Sequence, residues 1–248
     1  MKNLLIYINP SKKFQGENEI LIKIQIDNSL DLGWNSKDIV LVTNFGYEYR
    51  GIKSIVISDD NYCYFDRIST KTYSIPAVFE KGIVGDDLYW LHDLDAFQLE
   101  VITEEELELG GVDLALCDRG FSYKWAGGTY FLRKGARDIF EKLKKKMDED
   151  KDTDENTLLK LLGYEIPEGR YKKLNITYGF TMMEGYSPKH KVYHLATKPI
   201  KVIHFHPLEV RHHVHVNRLD LFMHGKNEMG VVLMTDRIIK IFNKHGIK

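Results

Sequence analysis

Two carboxylates one residue apart, Asp93 and Asp95, follow directly on the apolar run Leu88-Tyr89-Trp90-Leu91. Oxygen donors at this spacing suit a hard divalent cation, and a cation held in this way can in turn hold a diphosphate. The D-x-D pattern alone recurs in surface loops. This one stands out because it follows a short aromatic run that reads as a buried strand, and α/β sheets present ligand-binding groups at the carboxyl ends of their strands. A nitrogen donor is available later in the chain. His190 and His194 lead into KVIHFHPLEVRHHVHVNRL, which carries His204, His206, His212, His213 and His215. In a strand, His204 and His206 share one face and Ile203 and Phe205 the other, and Pro207 ends the strand. Either of the first two, as a neutral imidazole, completes a cation site begun by Asp93 and Asp95; His212, His213 and His215 read as packed or solvent-facing.

Proton transfer needs a different group. The segment KKKMDEDKDTDENTLLKLLG is the most polar of the chain and ends in a helical stripe of Leu158, Leu159, Leu161 and Leu162. Thr153 or Asp154 caps that helix, and Glu155 or Asn156 falls in its first turn, where the helix dipole favours acids. These residues serve as caps and solvated surface, or else one acid faces the cleft and deprotonates a hydroxyl nucleophile. Gly127 and Gly128, ahead of the strand-like TYFLR, form a tight turn or let the backbone pass close to a ligand.

The elements that must position these groups alternate. NLLIYI reads as a first strand ending at Asn9-Pro10, DIVLVT as a second and IKSIVISD as a third, ending at Asp59 and Asp60. Between the first two, Ile20, Ile22, Ile24 and Ile26 alternate as in a strand, while Gly33 suits a helix end, so the pattern leaves that element open. Residues 73–85 read as a helix or loop, FQLEVI as an outer strand and VDLALCD as a further strand. Ala136, Ile139, Phe140 and Leu143 recur at helical spacing. The final MTDRIIKIFNKHG is an amphipathic helix whose apolar residues, Ile238, Ile239, Ile241 and Phe242, dock on the sheet. Strand, connection, strand at these lengths indicates a parallel α/β sheet.

With 248 residues the chain is long enough for one domain with elaborations, and 43% hydrophobic with 29% charged residues is ordinary for a globular protein. A formal net charge of −1 excludes partners that need a strongly basic surface. The lysines of residues 142–146 and the bases of 211–218 match no nucleic-acid-binding motif, and the acids of residues 148–154 repel phosphate nearby. Two cysteines, Cys63 and Cys117, are too few for a disulfide framework and read as buried thiols in a reducing compartment. No apolar stretch reaches the length of a secretory leader core or a membrane span, so the expected location is the cytoplasm.

In its order of elements the chain resembles the nucleotide-diphospho-sugar-dependent glycosyltransferases of the GT-A type, over roughly residues 3–210. His92-Asp93-Leu94-Asp95 looks like that family's metal- and diphosphate-binding D-x-D motif, and Val202-Ile203-His204-Phe205 like the late strand whose histidine is a further metal ligand. GGTYFLRKGA resembles the strand and helix start lining the sugar and acceptor site, and TDENTL the acidic acceptor-side helix. The resemblance implies a GT-A-like fold, with a Rossmann-like, mostly parallel central sheet flanked by helices and a small second sheet. One domain is expected, divided into a nucleotide-sugar half (1–97), an acceptor half (98–215) and a C-terminal helical extension (216–248). It implies Mn2+ or Mg2+ on Asp93, Asp95 and His204, a nucleotide diphospho-sugar donor bound at Asp93, Gly127 and Gly128, and a hydroxyl-bearing, carbohydrate acceptor. Asp154 or Glu155, with Asp118 behind them, is expected to take the acceptor proton. By topology, Asn9, Thr43, Asn44 and Asp59 face the base and ribose, and Tyr7, Phe45 or Tyr47 stacks on the base. The chain departs from a retaining branch of the family after the histidine. That branch continues with glycine and a phosphate-gripping lysine, whereas here His206-Pro207-Leu208 follows and the next base is Arg211. Two further readings stand beside the transferase: a nucleotidyltransferase with Lys12, Lys13 and Gly16 as a loose phosphate cradle, and a non-catalytic binding protein.

Overall fold

A computed structural model describes residues 1–120, 125–181, 192–197, 199–205 and 232–247. In chain order these form β1 (Lys2–Tyr7), α1 (Asn18–Asp31), β2 (Ile39–Thr43), a hairpin of β3 (Glu48–Tyr49) and β4 (Ile52–Lys53), β5 (Ile55–Val56), the short helices α2 (Thr70–Tyr73) and α3 (Ile75–Glu80), β6 (Tyr89–His92), β7 (Ala96–Gln98), β8 (Leu114–Asp118), β9 (Trp125–Leu132), α4 (Arg137–Asp150), α5 (Asp154–Leu161), β10 (Tyr171–Leu174), β11 (Phe180–Thr181), β12 (Val202–His204) and α6 (Val232–Lys244).

Seven strands make the central sheet in the order β10-β8-β9-β6-β1-β2-β5. All neighbouring pairs are parallel except those of β9, which runs antiparallel to both β8 and β6. The chain steps outward from β1 to β2 and β5, then returns to the other side of β1 as β6. That reversal opens a crevice at the carboxyl ends of β1 and β6, where such sheets bind ligands. A second, three-stranded sheet has the order β11-β12-β7, with β12 antiparallel to β7. Since β6 ends at His92 and β7 begins at Ala96, the residues between them are the corner at which the chain leaves one sheet for the other.

Residues 18–31 form a helix, which settles the pattern the sequence leaves open. On one side Ile22 and Ile26 pack with Leu5, Ile39 and Leu41 of the central sheet. On the other, Leu21 and Ile24 pack with Phe97, Ile203, Phe205, Ile238 and Phe242. A helix buried on two faces has no polar stripe, so its apolar residues carry no helical period. Buried polar groups tie it to its neighbours: Asn28 Nδ2 donates to Gln98 O at 2.9 Å, and Asn3 Nδ2 donates to Ser29 Oγ at 2.8 Å.

The segment IKSIVISD splits instead of forming one strand. Ile52–Lys53 closes a hairpin on Glu48–Tyr49, and only Ile55–Val56 joins the central sheet. Arg50 and Gly51, both at positive φ (54° and 75°), form the tight hairpin turn that fits the strand twist. FQLEVI contributes only Phe97 and Gln98, which with Ala96 form β7 of the second sheet. Helix α4 buries Ile139, Phe140, Leu143 and Met147 on the opposite face of the central sheet from α1, beside Tyr130 and Leu132 of β9. Helix α6 docks on α1 and the second sheet, not on the central sheet. No helix among the described residues is long and apolar enough to cross a membrane.

Candidate active site

The corner between the two sheets is fixed by backbone bonds. Asp93 N donates to Gly128 O of β9 at 3.0 Å, Ala96 N to Asp93 O at 3.1 Å, and Phe205 N to Asp95 O at 3.0 Å. The last bond ties the end of β12 to the corner and brings His204 to it. His204 Nε2 lies 3.0 Å from Asp95 Oδ1 and 3.8 Å from Asp93 Oδ2. Ligand-type atoms of Asp93, Asp95 and His204 all fall within 4.8 Å of one another. Burial alone pulls the His204 imidazole down, but the carboxylates of Asp95 and Asp93 outweigh it and push it up to about 8.

Two oxygen donors and one imidazole suit a divalent cation, and the surrounding backbone is cut to hold them. A Cβ on Gly128 would stand 2.6 Å from His204 Nδ1. A Cβ on Gly127 would stand 2.9 Å from Glu155 Oε1. The paired glycines therefore admit two of the site's own side chains.

Beside the triad lies Lys71 of α2, a residue the sequence does not advertise. Its side chain is 8% exposed, and Nζ donates to Asp93 Oδ1 and to Gly127 O, both at 2.6 Å. Nothing in Thr70-Lys71-Thr72-Tyr73 separates this lysine from a surface one; α2 carries it inward. One indirect signal is the unusual density of small hydroxyl residues around it, because Ser69 and Thr72 pin the same segment to α5.

That pinning shows what Asp154 does. Its Oδ1 accepts from Ser69 Oγ at 3.0 Å and from Glu155 N at 2.8 Å, and its Oδ2 accepts from Thr72 Oγ1 at 2.5 Å and Tyr130 OH at 3.4 Å. The residue is 7% exposed and its acceptor sites are filled. Glu155 is placed differently. Its Oε1 accepts from Gly127 N at 3.0 Å and its Oε2 from Arg119 Nη1 at 2.8 Å, with about a quarter of the side chain exposed. Asp118, at the end of β8, pairs with Lys173 at 2.8 Å and accepts from Gly120 N at 2.9 Å.

The residues expected around the nucleoside brace one another. Asn44 Nδ2 donates to Asn9 O at 2.7 Å and to Asp59 Oδ1 at 2.9 Å, while Asn9 N donates to Asn44 Oδ1 at 3.0 Å. Asn9 Oδ1 accepts from Ser11 N and Ser11 Oγ, and Thr43 Oγ1 donates to Phe45 O. Lys12, in the loop after β1, pairs with Asp59 at 2.9 Å and so is directed at a carboxylate. Tyr7, Phe45 and Tyr47 gather around Phe14, with ring centroids 5.0, 5.0 and 4.8 Å from it. His190, His206, His212, His213, His215 and Arg211 lie outside the described residues.

A cleft of about 310 Å3 opens over the corner, lined by Asp93, Asp95, His204, Lys71, Thr70 and Arg67 among others. Through Tyr7, Ile8, Asn18, Arg67 and Ile68, common to both walls, it continues into a hollow of about 460 Å3 that reaches Asn9, Gln15, Gly16 and Tyr62. Volumes of this size accommodate small ligands.

No known family model matches the sequence, and no curated protein matches it. Solved structures do match the fold. A glycosyltransferase involved in glycosylation of the major capsid of PBCV-1 aligns over 97% of this chain and 100% of its own, at 12% identity and a TM-score of 0.52. The glycosyltransferase GlyE of Streptococcus pneumoniae TIGR4 aligns over all of this chain and 65% of its own, at 14% identity and a TM-score of 0.57. Mouse xyloside xylosyltransferase 1 aligns over 82% and 96%, at 15% identity and a TM-score of 0.50. With its mostly parallel seven-stranded sheet, small second sheet and acidic corner between them, the chain has the fold of glycosyltransferases of the GT-A type.

Proposed function

We propose that this protein is a metal-dependent glycosyltransferase that moves a sugar from a nucleotide diphospho-sugar to a hydroxyl-bearing acceptor, in keeping with a carbohydrate. The observation that carries the reading is the grouping of Asp93, Asp95 and His204 at the corner between the two sheets of this fold. These three residues would hold Mn2+ or Mg2+, and such an ion supplies an electrophile that stabilises a departing diphosphate. Lys71 adds a buried positive charge beside Asp93, where charge develops on the leaving group.

Between the two acids of α5 we favour Glu155 as the group that takes the acceptor proton. Gly127 N and Arg119 hold its carboxylate in one orientation and part of it reaches solvent, whereas the carboxylate of Asp154 is filled by hydroxyl donors. Asp118 stays in reserve behind its Lys173 partner. The pairing of Lys12 with Asp59 disfavours a nucleotidyltransferase, since it occupies one of the two lysines a phosphate cradle there would use. The cytoplasmic location we assign rests on Cys63 and Cys117, both buried free thiols.

The test is release of free nucleoside diphosphate when the protein is incubated with Mn2+ and uridine, guanosine, cytidine or thymidine diphospho-sugars. Metal-dependent release from one donor, abolished by chelation, is expected. A folded protein that releases nothing from any donor would sink the reading.

A further inference from the structure

The cations along the cleft are not equivalent. Lys71 is committed to Asp93 and the Gly127 carbonyl, and Lys12, near the far end, to Asp59. Arg67 lines the cleft over the corner and also the hollow that continues it, and among the described residues its guanidinium makes no hydrogen bond or ion pair.

The backbone beneath Arg67 is firmly set. Asp66 caps the turn, its Oδ1 accepting from Ile68 N at 3.3 Å and its Oδ2 from Ser69 Oγ at 2.5 Å. Ser69 Oγ accepts from Asp154 N at 3.0 Å, and Thr70 Oγ1 accepts from Cys63 N at 3.2 Å. A rigid turn thus presents a solvent-facing guanidinium to the place where the two hollows meet. One hollow holds the cation donors and the other runs toward Gly16 and Gln15.

We infer that Arg67 is a binding residue for the donor's diphosphate, gripping phosphate oxygens at the junction between the cation end and the nucleoside end. The inference rests on the glycosyl-transfer reading and assigns one residue of this chain to the anionic part of that donor. The chemistry favours arginine over a point charge, because the planar fork of N–H donors matches two phosphate oxygens at once. An unpaired guanidinium also brings no carboxylate that the incoming phosphate would have to displace. At the junction, Arg67 is set to read the group between base and sugar and not either end.

Titration calorimetry in Mn2+ with the diphosphates of uridine, guanosine, cytidine and thymidine, on wild type, R67Q and R67K, tests this. For the nucleotide that binds wild type, R67Q is expected to weaken the diphosphate roughly tenfold to a hundredfold, as for loss of a charge-assisted hydrogen bond. R67K is expected to recover part of that loss. Mn2+ affinity, thermal unfolding and affinity for the bare nucleoside, read by saturation-transfer NMR, are expected to stay unchanged. Unaltered diphosphate affinity in R67Q, or an equal loss for the bare nucleoside, overturns the assignment while leaving the transferase reading intact. Failure of wild type to bind any of the four diphosphates overturns the transferase reading first and this inference with it.

Discussion

Gly127 and Gly128 are adjacent, yet each makes room for a different function, so single substitutions should separate the two. A methyl on Gly128 meets His204 Nδ1 at 2.6 Å and must turn the imidazole away from Asp95. G128A should therefore lower Mn2+ affinity about tenfold or more, as for a misplaced or mis-supported ligand, measured by calorimetry. A methyl on Gly127 meets Glu155 instead, so G127A should keep Mn2+ affinity and lose turnover. Equal effects of the two variants on metal binding would contradict this division. The acids of α5 should separate in a similar way. D154A strands the hydroxyls of Thr72 and Tyr130, while Ser69 keeps Asp66 as its acceptor, and should cost about 2–3 kcal/mol of stability in denaturant melts. E155Q, on a partly exposed side chain, should leave stability nearly unchanged and reduce transfer by about a hundredfold or more, the scale of a lost general base. The pairing of Asp93 with Asp95 can be read from sequence because D-x-D after an apolar run is a local pattern. Lys71 cannot, because its burial depends on α5 gripping the same segment from more than eighty residues away.

At the scale of elements, α6 is held to α1 by charge as well as by its apolar residues. Asp27 accepts from Tyr49 OH at 3.1 Å, Arg50 Nε at 3.1 Å, Lys244 Nζ at 2.5 Å and His245 Nε2 at 2.9 Å. Burial would raise its carboxyl, but Lys244, His245 and Tyr49 together hold it below the ordinary carboxylate value of 3.8. A carboxyl lowered by folding contributes stability at pH values above its unfolded pKa and loses it as pH falls through the folded one. Acidification below about pH 4 should therefore loosen α6 from α1, seen as a shift in the unfolding midpoint that D27N lacks. Helix α4 is legible because it buries one stripe and so carries a period, and the central strands because burial on both faces makes them short continuous apolar runs. Helix α1 is not, because burial on two sides erases the contrast that a period needs. The division of IKSIVISD depends on a turn at Arg50-Gly51 that lies upstream of the apolar run itself.

Across the whole molecule, His204 reaches the corner through the smaller of the two sheets, whose core is shared with α6. Phe242 packs at 5.1 Å from Phe97 and 6.1 Å from Phe205, the residue that follows His204. F242A should cost about 3–5 kcal/mol, the range for emptying a buried aromatic site. It should also weaken Mn2+ binding without touching the site, whereas a stability loss with unchanged metal affinity would show the second core to be independent of the corner. A formal charge of −1 gives the molecule no general pull on polyanions, so recognition of a phosphorylated donor must be local.

Helix α1 is shared between two of the hydrophobic cores, the one against the central sheet and the one under α6 and the second sheet, and this has a consequence for the order in which the chain opens. Neither of these two cores can open without uncovering one side of this helix, and only loss of both frees its backbone from protection. Its amides should exchange with deuterium only through global opening, more slowly than those of α4, which serves one core, and at a free energy equal to that of full unfolding.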